Sequence, residues 1–378
     1  MKHAMKKLFA TAFLVTGMAA PPLLAQKTIR VQNPLDESRT ELISVPFSAF
    51  GRHFGVDTAF TIRDKNSGTA CAHQLEKLGT NRPQNVLVQV SIAAKAELEL
   101  TVLPENPASQ RPKTFARYVP ERFDDFAWEN DVVAFRLYGK ALEGRPDDAQ
   151  GMDFWAKRTD ELVIDRWYKT DDYHKDHGEG LDYYSVGQSL GAGDLALYFN
   201  QKIAYTKHYR RHEILDNGPL RTTFRLTYEP QDVAGQTVSL TKTISLDVGG
   251  RFNTIAVELQ NRHSKATPIA IGLVKRGESD PQYAYHPAGR SLAYWEPDVQ
   301  NNGHTGTALI VPKTKVSFVP DDAKQFLLCA EAQNGKPFVY YNGAAWSREG
   351  KIASADAWTD FVKNKAERLQ KPLKVTLK

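Results

Sequence analysis

One stretch of the chain concentrates groups that can move protons. Residues 171–194, "DDYHKDHGEGLDYYSVGQSLGAGD", carry two histidines, three tyrosines, several carboxylates and five glycines. Imidazole supplies a base that titrates near neutrality, phenol supplies a proton donor, and carboxylate orients a histidine and sets its tautomer. Three readings are open. His174, His177, Glu179 and Asp182 offer mixed nitrogen and oxygen ligands to a divalent ion, should one bind. The loop could simply turn a corner. A polar active-site or sugar-binding surface is favoured over both, because glycine-hinged loops on rigid β-scaffolds are where such groups gather. In that reading His174 or His177 is the base, Tyr173 or Tyr184 the acid, and Glu179 and Asp182 orient a histidine.

A second cluster precedes it. "YVPERFDDFAWENDVVAFRLYG" (118–139) places Arg122, Asp124, Asp125, Trp128, Glu129, Asn130 and Asp131 just before a β-type run. Sugar recognition needs an apolar face to stack on and polar groups around its rim. Trp128 with Glu129, then Trp155, Asp182, Lys275 and Trp295 are the candidate sugar contacts. Arg122, or Lys275 and Arg276, could grip a carboxylate in arginine's planar fork. Each tryptophan taken singly reads as core. Their association with charge is what points to a carbohydrate.

The elements that must hold these groups are strands. "ELELTVL" (97–103), "NVLVQVSI" (85–92), "LRTTFRLTY" (220–228), "QTVSLTKTISL" (236–246) and "FNTIAVELQ" (252–260) alternate apolar and polar residues, and turn signals such as "DNGP" and "DVGGR" separate such runs. Roughly fifteen short strands with few helices predict a large all-β sandwich or barrel. One helix is expected over 355–370, with Ser354 as N-cap and Trp358, Phe361, Val362, Ala366 and Leu369 at helical spacing. Trp358 and Phe361 read as core anchors there. The segment 105–122 is the candidate crossing between an N-terminal β-unit (26–115) and a main unit (116–378), unless 26–378 forms one continuous domain.

Residues 1–25 read as a cleaved secretory signal: the basic "MKHAMKK", the apolar "LFATAFLVTGMAA" and small Ala25 at the cleavage point. The expected location is the periplasm or outside the cell, with no membrane span. Lys2, Lys6 and Lys7 account for three of the net +5 charges, so the mature chain is nearly neutral and carries no basic stripe for nucleic acid. Cys71 and Cys329 read as two separately buried thiols rather than a disulfide framework. No phosphate-binding or dinucleotide-binding glycine motif occurs, nor H-E-x-x-H, C-x-x-C or G-x-S-x-G. No cofactor is therefore assigned beyond the open divalent ion. The oligomeric state is left open.

The blocks "RFDDFAWENDVVAFRLYG", "DYHKDHGEGLDYYSVGQSLGAGDLALY", "LDNGPLRTTFRLTYEP", "LAYWEPD" and "YYNGAAWS" resemble the secreted domain-of-unknown-function 4861 family over nearly all of the mature chain. The resemblance implies a supersandwich similar to galactose-mutarotase-like proteins. It also implies an oligosaccharide partner containing uronic acid, and a water-eliminating activity on ulvan-type fragments. A sugar-binding or mutarotase-like module is an alternative. So is a glycoside hydrolase in which Asp124 and Glu129 flank the scissile bond.

Overall fold

The computed structural model describes residues 26–170 and 172–378. The expected leader, 1–25, lies outside the described residues. Period-two patterning produces the expected strands. In Gln236–Asp247 every second side chain from Val238 to Leu246 is buried, the signature of a strand with one face on the core.

The main body is a sandwich. A nine-stranded antiparallel sheet runs from Arg211–Asn217 through Arg221–Thr227, Gln236–Asp247, Phe252–Asn261, Phe338–Trp346, Thr305–Ile310 and Ser291–Trp295 to Gln282–His286, with Gln231–Val233 beside Gln236–Asp247. Two five-stranded sheets pack on its inner face and share its core. One contains Thr114–Val119, Asp125–Asn130, Ala134–Leu137, Met152–Lys157 and Gly180–Leu181. The other contains Lys202–Ala204, Ala192–Phe199, Ala266–Val274, Gln325–Gln333 and Ser317–Val319. A parallel bridge between Met152 and Gly191 joins them into one layer. A Cβ on Gly191 would lie 2.1 Å from the Met152 carbonyl oxygen, so this join requires glycine. "GAGD" thus opens a strand at a sheet junction.

A polar chain crosses the layers inside the core. Trp128 Nε1 donates to Asn253 Oδ1 at 2.7 Å, Asn253 Nδ2 donates to Asn342 Oδ1 at 3.1 Å, and Asn342 Nδ2 donates to the Ala192 carbonyl at 2.9 Å. Each buried donor finds an acceptor, as burial demands.

The N-terminal unit has its own core of Ile29, Val31, Phe50, Phe60, Val86, Val88 and Leu100. Its sheets are Lys374–Leu377, Thr28–Gln32, Glu97–Leu103, Thr61–Asp64 and Ala70–Cys71, and Arg39–Pro46, Asn85–Ile92 and His73–Glu76. The chain's final strand therefore belongs here, which departs from a main unit running unbroken to residue 378. Residues 106–113 carry no regular structure, and the strand Thr114–Val119 already belongs to the main body. Gln74 Oε1 accepts from the backbone of Leu220 and Arg221 at 2.7 and 2.8 Å, tying the units together. Cys71 and Cys329 lie in different sheets as half-buried free thiols.

Three α-helices occur among the described residues: α1 (Phe47–Phe54), α2 (Ile164–Tyr168) and α3 (Ala355–Gln370). Only α3 is legible as a helix in the sequence; the others are too short to show a period. Ser354 Oγ caps α3 by accepting from the Ala357 amide at 3.2 Å. Trp358, Val362 and Ala366 bury against the outer face of the nine-stranded sheet, and Trp358 Nε1 donates to the Thr307 carbonyl at 3.0 Å. No helix among the described residues is long and apolar enough to cross a membrane. Trp358→Ala is expected to destabilise the protein by about 3–5 kcal/mol through the cavity it leaves, which urea denaturation measures directly.

Candidate functional site

The candidate site stands on the outer face of the sheet containing Asp125–Asn130. Alternation turns Phe126, Trp128, Phe135, Phe154 and Ala156 into the sandwich core. The same parity turns Asp125, Glu129, Arg136, Asp153 and Lys157 the other way, yet all five are buried. They are covered by α2 and by the polar loop that follows it.

Glu129 and Lys157 fasten that cover. Their side chains pair at 2.7 Å with neither exposed. The carboxylate of Glu129 also accepts from the amides of Val163 and Ile164 at 2.8 and 2.7 Å, satisfying donors that a helix start leaves orphaned. Beside them Trp155 stacks on Trp167 at 5.7 Å and on Tyr173 at 5.2 Å, so one indole positions the site loop.

Next to this lock sits a buried charge cluster. The Arg136 guanidinium meets Asp153 at 2.7 Å, Asp182 at 2.9 Å and Asp125 at 3.5 Å. Tyr138 donates to Asp153 and Tyr168 to Asp125, both at 3.2 Å. Three carboxylates face one cation. Burial pushes Asp125 up to about 6 against the opposing pull of Arg136. Burial likewise raises Asp153 and Asp182, each further raised by a neighbouring carboxylate.

Above the cluster lies an open cleft of two depressions that meet at His174. The first, about 250 Å³, is lined by Glu121, Arg122, Tyr168, Tyr173 and His174. The second, about 270 Å³, is lined by Arg136, His174, Asp182, Tyr183, Tyr184, Ser185, Gln300 and Asn302. Arg122 ends a short 3-10 turn, Pro120–Arg122, after which Phe123 and Asp124 adopt left-handed backbone. Asp124 then packs so tightly on Gly139 that a Cβ there would lie 1.9 Å from its carbonyl oxygen. Arg122 Nε donates to the Tyr173 hydroxyl at 2.9 Å, and its terminal nitrogens make no ion pair among the described residues. That leaves the arginine fork to the cleft.

His174 has an assigned tautomer. Its Nδ1 lies 2.8 Å from the Asp182 carbonyl oxygen and 3.6 Å from the Asp182 carboxylate; both oxygens accept, so Nδ1 carries a proton, and in the neutral imidazole the lone pair is on Nε2. The loop closes on itself to allow this, with the Asp182 amide donating to the Tyr173 carbonyl at 2.9 Å. A cation, a phenol and a basic imidazole nitrogen thus share one cleft.

A family model described as "Domain of unknown function (DUF4861)" matches residues 31–375. The chain belongs to that family. A relative described as "Uncharacterized protein P7", from Formosa agariphila, is 28% identical over 400 residues and is matched across the whole of both chains. Two solved structures from Enterococcus faecalis, a protein in glycosyl hydrolase family 38 and an alpha-mannosidase, align over 93% of this chain. Their TM-scores are 0.49 and 0.48, with 9% and 8% identity. This chain spans about half the length of those two, 47% and 46%.

Of the residues expected from sequence, Arg122, Tyr173, His174 and Asp182 come together. The others are corrected by their surroundings. His177 points away to Asp172 at 3.1 Å and is largely exposed. Tyr184 lines the second depression but is buried beneath the Arg276 guanidinium, 4.3 Å from its ring centre. Trp128, Glu129 and Trp155 are core and cover residues, as described above. Trp295 packs under α3. Lys275 donates to the carbonyls of Pro320 and Asp322 at 2.5 and 2.7 Å, and Arg276 is held by Glu296 at 2.5 Å, so neither is a carboxylate clamp. The ligand quartet His174, His177, Glu179 and Asp182 is not assembled, since Glu179 pairs with Arg166. Among the described residues no three His, Cys, Asp or Glu side chains gather as a metal group. Arg136, Tyr183, Gln300 and Asn302 were not anticipated. The one available signal was Arg136, a charge inside an otherwise apolar run.

A larger depression, about 580 Å³, lies elsewhere, lined by residues that include Asn261, His263, Lys265, Gln333 and Lys336. It brings one histidine but no carboxylate or phenol, so it lacks the acid–base pairing of the His174 cleft.

Two stability outcomes follow from the buried charges. Glu129→Ala strands Lys157 without a counter-charge and is expected to cost about 3–5 kcal/mol, read from the urea midpoint. The Asp125 pKa is raised on folding, so its contribution to stability is full below its ordinary value of 3.8 and lost as pH rises through about 6. Asp153 and Asp182 shift in the same direction. Asp153→Asn should therefore flatten the loss of stability between pH 5 and pH 7.5 relative to wild type, on the order of 1 kcal/mol.

Proposed function

We propose that the protein is a carbohydrate-active enzyme that eliminates water from uronic-acid-containing oligosaccharides in the periplasm or outside the cell. One observation carries this reading: the basic Nε2 of His174, the Tyr173 hydroxyl and the Arg122 fork line the same depression.

The chemistry needs those three groups. Removing the C5 proton of a uronate builds negative charge beside a carboxylate that is already an anion. Arg122 pairs with the carboxylate and offsets that charge. His174 Nε2 takes the C5 proton, and the freed electron pair becomes the C4–C5 double bond. The C4–O bond breaks, and the departing oxygen takes a proton from Tyr173 to leave as water. Proton return from His174 to Tyr173 restores the site. Tyr173 accepts from Arg122 through its oxygen, which leaves its own O–H free to donate.

The hydrolase alternative finds less support. It requires two available carboxylates, but Glu129 is saturated by Lys157 and two amides, and Asp124 accepts from Tyr118.

The test is the appearance of the conjugated double bond by ultraviolet absorbance on a panel of uronate oligosaccharides, with mass spectrometry to register loss of water. His174→Ala is expected to lower kcat by about 10²–10⁴-fold. Arg122→Ala should lower kcat/KM by about 10²–10³-fold. Binding without any chromophore across the panel would reject elimination in favour of a sugar-recognition module.

A further inference from the structure

We infer that the second depression is a subsite for an uncharged sugar joined to the uronate, read by the side-chain amides of Gln300 and Asn302, and that it disfavours a second uronate. This rests on the uronate reading of the Arg122 depression.

The geometry comes first. The two depressions lie on either side of His174. Each is smaller than the roughly 300–1,000 Å³ typical of a drug-sized ligand, so each suits one sugar ring. A ring over Arg122 that presents its C5 proton to His174 therefore leaves the adjoining ring over the second depression.

The two linings differ in charge. The first offers the open guanidinium of Arg122. Among the described residues lining the second, the permanent cation is Arg136, already surrounded by Asp125, Asp153 and Asp182, and neighbouring Arg276 is neutralised by Glu296. Even with one proton shared among the three carboxylates, this floor keeps no net positive charge. A carboxylate placed over it meets like charge at short range and gains no partner.

The rim supplies recognition instead. Gln300 and Asn301 both hold left-handed backbone, φ 55° and 57°, a conformation that non-glycine residues adopt only when surrounding contacts impose it. The contacts are present: Trp346 Nε1 donates to the Asn302 carbonyl at 2.7 Å, Asn302 N to the Val299 carbonyl at 3.0 Å, and Gly303 N to Asp298 Oδ1 at 3.1 Å. The side-chain amides of Gln300 and Asn302 make no hydrogen bond among the described residues. A neutral amide both donates and accepts, which matches sugar hydroxyls without favouring an anion.

Equilibrium binding tests this apart from turnover. Calorimetric titration of the Tyr173→Phe protein would use three probes: glucuronate, a glucuronosyl–hexose disaccharide with an uncharged second sugar, and a disaccharide of two glucuronates. The uncharged-neighbour disaccharide is expected to bind about tenfold tighter than either other probe, the equivalent of two ordinary hydrogen bonds. Adding Gln300→Ala and Asn302→Ala should abolish that gain and leave glucuronate affinity unchanged. Adding Asp153→Asn should narrow the gap to the diuronate several-fold. Equal or tighter binding of the diuronate would overturn the inference, as would an amide double variant that weakens glucuronate equally. A failure of the uronate reading looks different: glucuronate affinity would be indifferent to Arg122→Ala, while the amide variants still cost affinity for the uncharged-neighbour disaccharide. No binding of any probe overturns both.

Discussion

One guanidinium set among three aspartates organises this site. Arg136 cannot sit on a bare sheet face without water, nor in a core without counter-charge. The structure meets both demands by laying α2 and the 172–185 loop over it and by supplying Asp125, Asp153 and Asp182. Asp182 belongs to the covering loop, so the ion pair also fixes that loop. Its backbone carbonyl then assigns the tautomer of His174. His174 is thus positioned by the same aspartate that pairs with Arg136, its Nδ1 lying 3.6 Å from the Asp182 carboxylate.

The sheet beneath serves two layers at once. Its inner face is part of the main apolar core, while its outer face carries the cluster and the Glu129–Lys157 lock. Movement of the floor would disturb the sandwich, so the floor is stiff. Specificity is left to the rims, where Arg122 follows a 3-10 turn and Gln300 and Asn302 ride on a strained loop. This division, a rigid scaffold with loops at its edge, is what the proposed sugar site calls for.

The sequence made the architecture legible because strand and helix periods are local. Alternation along Gln236–Asp247 and the capped apolar stripe of α3 needed no distant partner to be read. Residue type and density also marked the polar loop that holds Tyr173, His174 and Asp182 as one to search for acid–base work, and Arg122 stood in the second charged cluster. Trp128, Glu129 and Trp155 misled for a related reason. Tryptophan among carboxylates looks alike whether it rims a sugar site or faces a second buried layer. Lys275 and Arg276 were equally ambiguous, because a free cation and one satisfied by carbonyls or by Glu296 have the same local sequence.

By itself the sequence determined the β-sandwich class, the C-terminal helix, the family resemblance and the loop in which chemistry would be sought. Parity along "DFAWEN" and "MDFWAK" even divided their side chains into two faces. Only the tertiary structure decided that both faces are covered, that Glu129 and Lys157 neutralise each other, and that His174 rather than His177 turns into the cleft. It alone brought Gln300 and Asn302 to the same wall. The physical reason is range: periodicity and turn chemistry act between neighbours along the chain. Burial, ion pairing and the membership of a cleft depend on segments beyond the reach of local pattern, 28 residues apart for Glu129 and Lys157 and more than a hundred for His174 and Gln300.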